Sequence, residues 1–235
     1  MQPASAAVGI IVVAAGSGRR LGADVPKAFV PLAGVSLLGH ALRGALACSD
    51  VAEVVVVAPT GWLDEADSVC RWARSHSSGQ FSAASVTVVA GGAERGDSVA
   101  AGLAALSDRV GVVLVHDAAR CLAPAGVFGR VIDAVRDGAV AVVPGVPVVD
   151  TIKQVDGSGR VLATPERSQL RAVQTPQGFR RDVLERAHTE SSEATDDAGL
   201  VERLGETVLV VEGDLHALKV TTPADLEAAA RILAG

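Results

Sequence analysis

Five short apolar runs, at residues 9–14, 54–58, 86–90, 112–116 and 140–143, are almost unbroken by polar residues. A strand with one wet face alternates apolar and polar side chains. A continuous run of valine, isoleucine, leucine and alanine marks a strand buried on both faces, as in a parallel sheet covered by helices. Helical patterns fall between these runs, at roughly residues 37–47, 62–74, 98–106 and 124–136. This alternation predicts an α/β, three-layer fold with a mostly parallel sheet. In such sheets ligands bind beyond the carboxyl ends of the strands. The segments that follow the first and fourth runs can therefore face one cleft.

The first run breaks into VVAAGSGRRLGADVPK, residues 12–27. Gly16 and Gly18 lack a Cβ and let backbone N–H groups approach an anion closely. Arg19, Arg20 and Lys27 supply charge. Such a loop suits a polyphosphate, foremost a nucleoside triphosphate. A dinucleotide-binding turn fits badly: Leu21 stands where glycine or alanine would be needed, and the second strand ends in Ala58-Pro59 with no acidic group for a ribose. The Walker A string is absent, and a purely structural turn would not need three cations. A glycine-rich, arginine-bearing segment such as residues 18–27 is expected to order on its ligand.

The chain has 235 residues, 49% of them hydrophobic and 20% charged, which suits one soluble globular domain rather than a disordered chain. A net charge of −6 argues against broad nucleic-acid binding but allows a local basic pocket. No apolar stretch is long enough to span a membrane, and residues 1–16 lack the basic start of a signal peptide. Cys48, Cys70 and Cys121 are odd in number and scattered, so reduced thiols in a cytoplasmic protein are expected, with no zinc site. Every cation is arginine except Lys27, Lys153 and Lys219. Lysine kept against that bias suits places where a compact point charge is needed.

The pattern breaks after Pro144. Residues 147–172 read as two polar-apolar strands flanking Asp156-Gly157-Ser158-Gly159, a turn signal. An isolated hairpin is marginal in water, so a projecting arm that embraces a second subunit is predicted; a hairpin folded back on its own domain is the alternative. Helices are expected near residues 181–188 and 197–204, a strand at 208–212, and a terminal helix opened by Thr222-Pro223 with Asp225 in its first turn. Residues 75–85 are the expected flexible loop.

Residues 113–120, VLVHDAAR, end a strand in His116-Asp117. Mg²⁺ takes one or two carboxylates together with phosphate oxygens and water, so Asp117 beside a phosphate loop is a metal candidate; a turn residue is the plainer reading. In GGAERGDSV, residues 91–99, the glycine amides and the Ser98 hydroxyl can read a base edge, or Asp97 and Ser98 can simply cap a helix. Thr151 and Arg167 on the arm, and Thr175 after it, suit a phosphorylated polyol, with hydroxyls for orientation and guanidinium for phosphate.

AAGSGRR…PK, GGAERGDSV, VHDAAR, DTIK, QTPQGF, TDDA and KVTTPADL occur in this order across nearly the whole chain. The chain thereby resembles the 2-C-methyl-D-erythritol 4-phosphate cytidylyltransferase family. The first motif is shared by many sugar nucleotidyltransferases; the others are more specific. The resemblance implies a Rossmann-like nucleotidyltransferase fold, a swapped β-arm, a homodimer, and Mg²⁺-dependent transfer of CMP from CTP. It implies that Ala14, Ala15, Gly16, Gly18, Arg19, Arg20 and Lys27 hold the triphosphate. Gly92, Ser98 and Ala118 would line the nucleotide, and Asp117 would hold the metal. Arg120, Thr151, Arg167, Thr175 and Thr195 would bind methylerythritol phosphate, with Thr151 and Arg167 from the partner's arm. Lys219 would reach the reacting phosphates. Cys121, Ala93 and Ala217 depart from the usual pattern, and Asp214 is a candidate second metal ligand. Rival readings are a ribitol-5-phosphate cytidylyltransferase of the same fold, a CTP-holding regulatory protein, and an NAD-dependent oxidoreductase.

Overall fold

The computed structural model describes residues 6–16, 21–22, 24–76, 84–190 and 195–235. β1 (Ala7–Val13) is followed by a 3₁₀ turn at Lys27–Phe29 and a small hairpin, β2 (Pro31–Leu32) and β3 (Val35–Ser36). Ser36 caps α1 (Leu37–Leu46), its hydroxyl accepting the Gly39 N–H at 3.1 Å. Next come β4 (Val51–Ala58), α2 (Leu63–Ser75), β5 (Ser85–Ala90), α3 (Arg95–Ala105), β6 (Val110–Asp117) and α4 (Ala125–Arg136). β7 (Ala141–Pro147) runs out into the arm, where β8 (Gln154–Val155) and β9 (Val161–Ala163) form a two-stranded sheet of their own. The chain returns through β10 (Arg171–Val173) and β11 (Gln177–Arg180), then α5 (Arg181–Glu190), α6 (Asp197–Arg203), β12 (Val208–Glu212) and α7 (Pro223–Ala234).

The strands β5, β4, β1 and β6 lie side by side in parallel. β11 enters antiparallel between β6 and β7, with Gly178 opposite both Leu114 and Val142. β12 extends the sheet in parallel beside β7. The apolar runs of β1, β4 and β6 have the physical cause expected of them, whereas that of β5 lies on an edge strand with no buried residue. Val8, Ile10 and Val12 of β1 enter one core with α1, α2 and α4, while Ile11 enters the other with α3, α5 and α6. β4 and β6 divide in the same way: Val54, Val56, Val112 and Leu114 face one core, and Val55, Val57, Val113 and Val115 the other.

Some boundaries move. α3 begins at Arg95 rather than Ser98, because Glu94 and Asp97 form a reciprocal capping box in which the Glu94 N–H donates to the Asp97 carboxylate at 3.0 Å. The second expected arm strand is divided: β9 pairs β8, and β10 at its end pairs β7 in the main sheet. β11 was not expected as a strand: it follows Gln174-Thr175-Pro176, and its apolar burial comes from Phe179. The terminal helix starts at Pro223, boxed by Thr222 and Asp225. The three cysteines are free and buried, and burial pushes the thiols of Cys70 and Cys121 up to about 12. Most of the expected flexible loop, residues 77–83, lies outside the described residues. Among the described residues, no helix is long and apolar enough to cross a membrane.

Candidate active site

A cleft of about 410 Å³ opens where β1, β5 and β6 end. Ala14, Ala15 and Gly16 follow β1 and form its floor. Ala14 N–H still pairs with Val57 C=O at 2.8 Å, so the chain leaves the sheet only beyond that point. One wall is the loop from Gly92 to Arg95 with Ser98 behind it; the other is Asp117, Ala118, Ala119 and Lys219. Lys27, on its 3₁₀ turn, also lines the cleft.

Close packing explains the glycine pair. A Cβ on Gly91 would lie 2.5 Å from the Ala15 Cβ, and one on Gly92 would lie 2.2 Å from the Asp97 Cβ. Ser98 is buried; its hydroxyl donates to Glu94 C=O at 3.2 Å and accepts the Gly92 N–H at 3.3 Å. It therefore stitches the loop shut and leaves the Gly92 edge as the surface offered to a ligand.

Charge is concentrated on Asp117. Lys219 Nζ lies 2.7 Å from its Oδ2, and Arg95 Nη2 lies 3.6 Å from its Oδ1. Burial alone would raise this carboxyl, but Lys219 and then Arg95 outweigh it and hold the pKa at about 2. Asp117 is thus an anion throughout the working range. Arg95 is in turn anchored on buried Asp197, with Nη1 2.7 Å from Oδ2, and His188 Nε2 lies 2.9 Å from the other oxygen of Asp197. The Arg95 contact satisfies the distance of an ion pair, although Asp197 Oδ2 has no well-aligned hydrogen bond. It is a charge contact, and it keeps Arg95 pointed into the cleft. Burial lowers and Asp197 then raises the Arg95 pKa, with a net upward shift.

The residues around Asp117 fit a divalent cation that arrives with a triphosphate. Among the described residues no cluster of three or more ligating side chains occurs. One ionised carboxylate plus phosphate oxygens and water is nonetheless an adequate set for Mg²⁺. Asp214 does not join it. Its Oδ1 accepts the His216 N–H at 2.8 Å and caps the 3₁₀ turn at Leu215–Ala217, outside the cleft lining.

Two expected acceptor-binding residues make contacts within the chain. Thr175 is buried behind Asp117, its Oγ1 accepting the Asp117 N–H at 3.0 Å and pairing with His116 Nδ1 at 3.1 Å. Arg120 donates through Nη1 to Ala217 C=O at 2.8 Å and through Nη2 to Val173 C=O at 3.0 Å. Both side chains brace the site from behind, and neither lines the cleft. His116 is fully buried against Phe128, with ring centroids 5.0 Å apart, and burial drives its pKa down to about 4.

Ala14, Ala15, Gly16, Lys27, Gly92, Ser98, Asp117, Ala118 and Lys219 are thus brought to one place. Gly18, Arg19 and Arg20 lie outside the described residues. Thr151 and Arg167 are exposed on the arm, where Arg167 Nη1 donates to Val149 C=O at 2.6 Å, and Thr195 is exposed before α6. None of these three lines the cleft of its own chain. Arg95, Asp197 and His188 were not singled out as site residues. The available signal was that an arginine in GGAERGDSV and a carboxylate in TDDA both fall inside motifs.

The family model described as 2-C-methyl-D-erythritol 4-phosphate cytidylyltransferase matches residues 8–235. An enzyme of that name from Nocardia farcinica is 50% identical over 223 residues, covering 95% of this chain and 92% of the relative. One from Saccharopolyspora erythraea is 52% identical over 229 residues, covering 95% and 98%. The crystal structure of the Thermus thermophilus enzyme is 34% identical and superposes with a TM-score of 0.74 over 96% of this chain and 98% of that one. The chain belongs to the 2-C-methyl-D-erythritol 4-phosphate cytidylyltransferase family.

Proposed function

We propose that the cleft binds CTP and transfers its cytidylyl group to 2-C-methyl-D-erythritol 4-phosphate, releasing pyrophosphate. The observation that carries this reading is the convergence of Lys27, Lys219 and Asp117 on one cleft at the strand ends, in a chain of this family. Simple nucleotide binding would not need a lysine held beside the one carboxylate best placed for a metal.

The acceptor brings its own nucleophile. A phosphate monoester is largely dianionic near pH 7, its second pKa being about 6. One of its oxygens attacks the α-phosphorus of CTP; the new P–O bond forms as the bond to the bridging oxygen breaks, and pyrophosphate leaves. No general base is needed, in keeping with a neutral, fully buried His116. Catalysis is positioning and charge stabilisation. Lys27 and Arg20 neutralise the leaving pyrophosphate, and Lys219 meets the charge that grows on the α-phosphoryl oxygens. Asp117 would hold Mg²⁺ against the triphosphate, where the ion supplies charge neutralisation and orientation. Ala14, Ala15 and Gly16 lie along the triphosphate, and the edge of Gly92 with Ala118 accommodates the nucleoside.

The acceptor site is completed by a second copy of the chain. Val149, Val155, Val161 and Leu162 are each at least half exposed on the arm, and a homodimer in which each arm covers its partner would bury them. Thr151 and Arg167 would then reach the partner's cleft, and Thr195 would face the acceptor from its own chain.

The test is pyrophosphate release by purified protein with Mg²⁺ and each nucleoside triphosphate, with methylerythritol 4-phosphate or ribitol 5-phosphate as acceptor. Release only with CTP and methylerythritol 4-phosphate is expected. Release with ribitol 5-phosphate instead would keep the mechanism and overturn the substrate. CTP binding without release would point to a regulatory protein.

A further inference from the structure

Lys219 lies on the segment that leaves β12 and turns back toward Asp117. One buried side chain grips the start of that segment. Gln174 Nε2 donates to Asp214 C=O at 2.8 Å, and Gln174 Oε1 accepts the Asp214 N–H at 3.0 Å. The carboxamide thereby gives Asp214 the two hydrogen bonds a neighbouring strand would give. The grip itself is fixed: Gln174 is 5% exposed, and its N–H donates to Pro144 C=O at 2.8 Å. The approach also requires glycine next door, because a Cβ on Gly213 would lie 2.4 Å from Gln174 Oε1.

The rest of the segment is pinned in turn. Asp214 caps the following 3₁₀ turn, Ala217 C=O accepts from Arg120, and Val220 N–H donates to Ala119 C=O at 2.9 Å. Lys219 then meets Asp117 at 2.7 Å. On the residue after Gln174, the Thr175 hydroxyl holds the Asp117 N–H. Two consecutive side chains therefore hold the supports of two oppositely charged groups.

We propose that Gln174 is a positioning residue for Lys219, acting through Asp214, and that with Thr175 it sets the placement of Lys219 relative to Asp117. This rests on the cytidylyl-transfer reading above. A misplacement of about 1 Å far from the chemistry can cost on the order of 100-fold in rate, so the grip has a kinetic signature distinct from folding.

The test uses the full chain with Gln174→Met, which keeps the volume and removes both hydrogen bonds. Its kcat for CTP and methylerythritol 4-phosphate should fall about 10- to 100-fold, with the KM for CTP changed less than about threefold. Amide exchange at Asp214 should quicken while β1 and β6 stay protected. In a Lys219→Ala background the same change should add little, since residues acting through one group are not additive. An unchanged kcat, a loss confined to KM, or an equal further loss in the Lys219→Ala background would overturn the proposal. Should Gln174→Met fail to fold, Gly213→Ala displaces the same amide and should give the same kcat-only loss; full activity there overturns it. Wild-type protein that releases no pyrophosphate would remove the transfer reading itself, whereas active wild type with an equally active Gln174→Met would remove only the positioning role.

Discussion

The cleft and the arm handle exposed chemistry in opposite ways. At the cleft, charged groups find partners within the same chain: Asp117 has Lys219 and Arg95, and Asp197 has Arg95 and His188. On the arm, the turn closes itself, with the Asp156 carboxylate accepting the N–H groups of Ser158 and Arg160. Its apolar side chains have no such closure: Val149 is 82% exposed and Leu162 61%. A two-stranded hairpin is marginal alone in water. The described part of the cleft is internally paired, whereas the arm leaves its apolar side chains uncovered, as the proposed dimer requires of it.

That contrast can be broken by substitution. Asp197→Ala would leave Arg95 and His188 without their buried anion, and removing one partner of a buried ion pair costs about 3–5 kcal/mol; urea unfolding should show it, and a change under 1 kcal/mol would mean the cluster is solvated. Lys27→Ala should leave folding intact and lower kcat about 100- to 1,000-fold, by analogy with deleting one transition-state donor. Near-normal turnover would remove Lys27 from the mechanism. Acid should reach the cleft in two steps. The folded pKa of His116 is depressed to about 4 by burial, so the unfolded chain takes up a proton that the folded chain refuses. Stability should therefore fall as pH drops from about 6.5 to about 4, by about 3 kcal/mol. His116→Gln should flatten that limb in urea midpoints measured against pH, leaving the lower limb of Asp117, whose contribution is lost between about 3.8 and about 2. The smallest effect is expected on the arm. Leu162→Ser should change the stability of one chain by less than about 0.5 kcal/mol and CTP binding not at all, while weakening dimerisation in sedimentation experiments.

The sequence was most legible where physics repeats. The continuous runs at β1, β4 and β6 specify a doubly covered sheet, and the Thr222-Pro223 cap specifies the last helix to the residue. The motif after β1 led to the cleft, since Ala14, Ala15, Gly16 and Lys27 all line it. Legibility failed where a side chain bonds to distant backbone. Arg120 reaching Ala217 C=O and Thr175 holding Asp117 N–H look, in the sequence, like any polar residues in a motif. β11 was hidden because its burial rests on Phe179 and the Gln177 carboxamide rather than on an apolar run. Arg95 and Asp197 pair across a separation in sequence that no local pattern reports.

The central claim is that one chain's cleft works with the other chain's arm. Subunit complementation tests it most directly. Lys27→Ala damages only the cleft; the double variant Thr151→Ala with Arg167→Ala damages only the arm. Each homodimer should be nearly inactive. Dissociated and reassociated together, they form mixed dimers in which one intact cleft faces one intact arm. The account predicts that pyrophosphate release returns on mixing, in proportion to the mixed dimer formed. Mixed dimers verified by mass but still inactive would contradict it and place the acceptor contacts within a single chain.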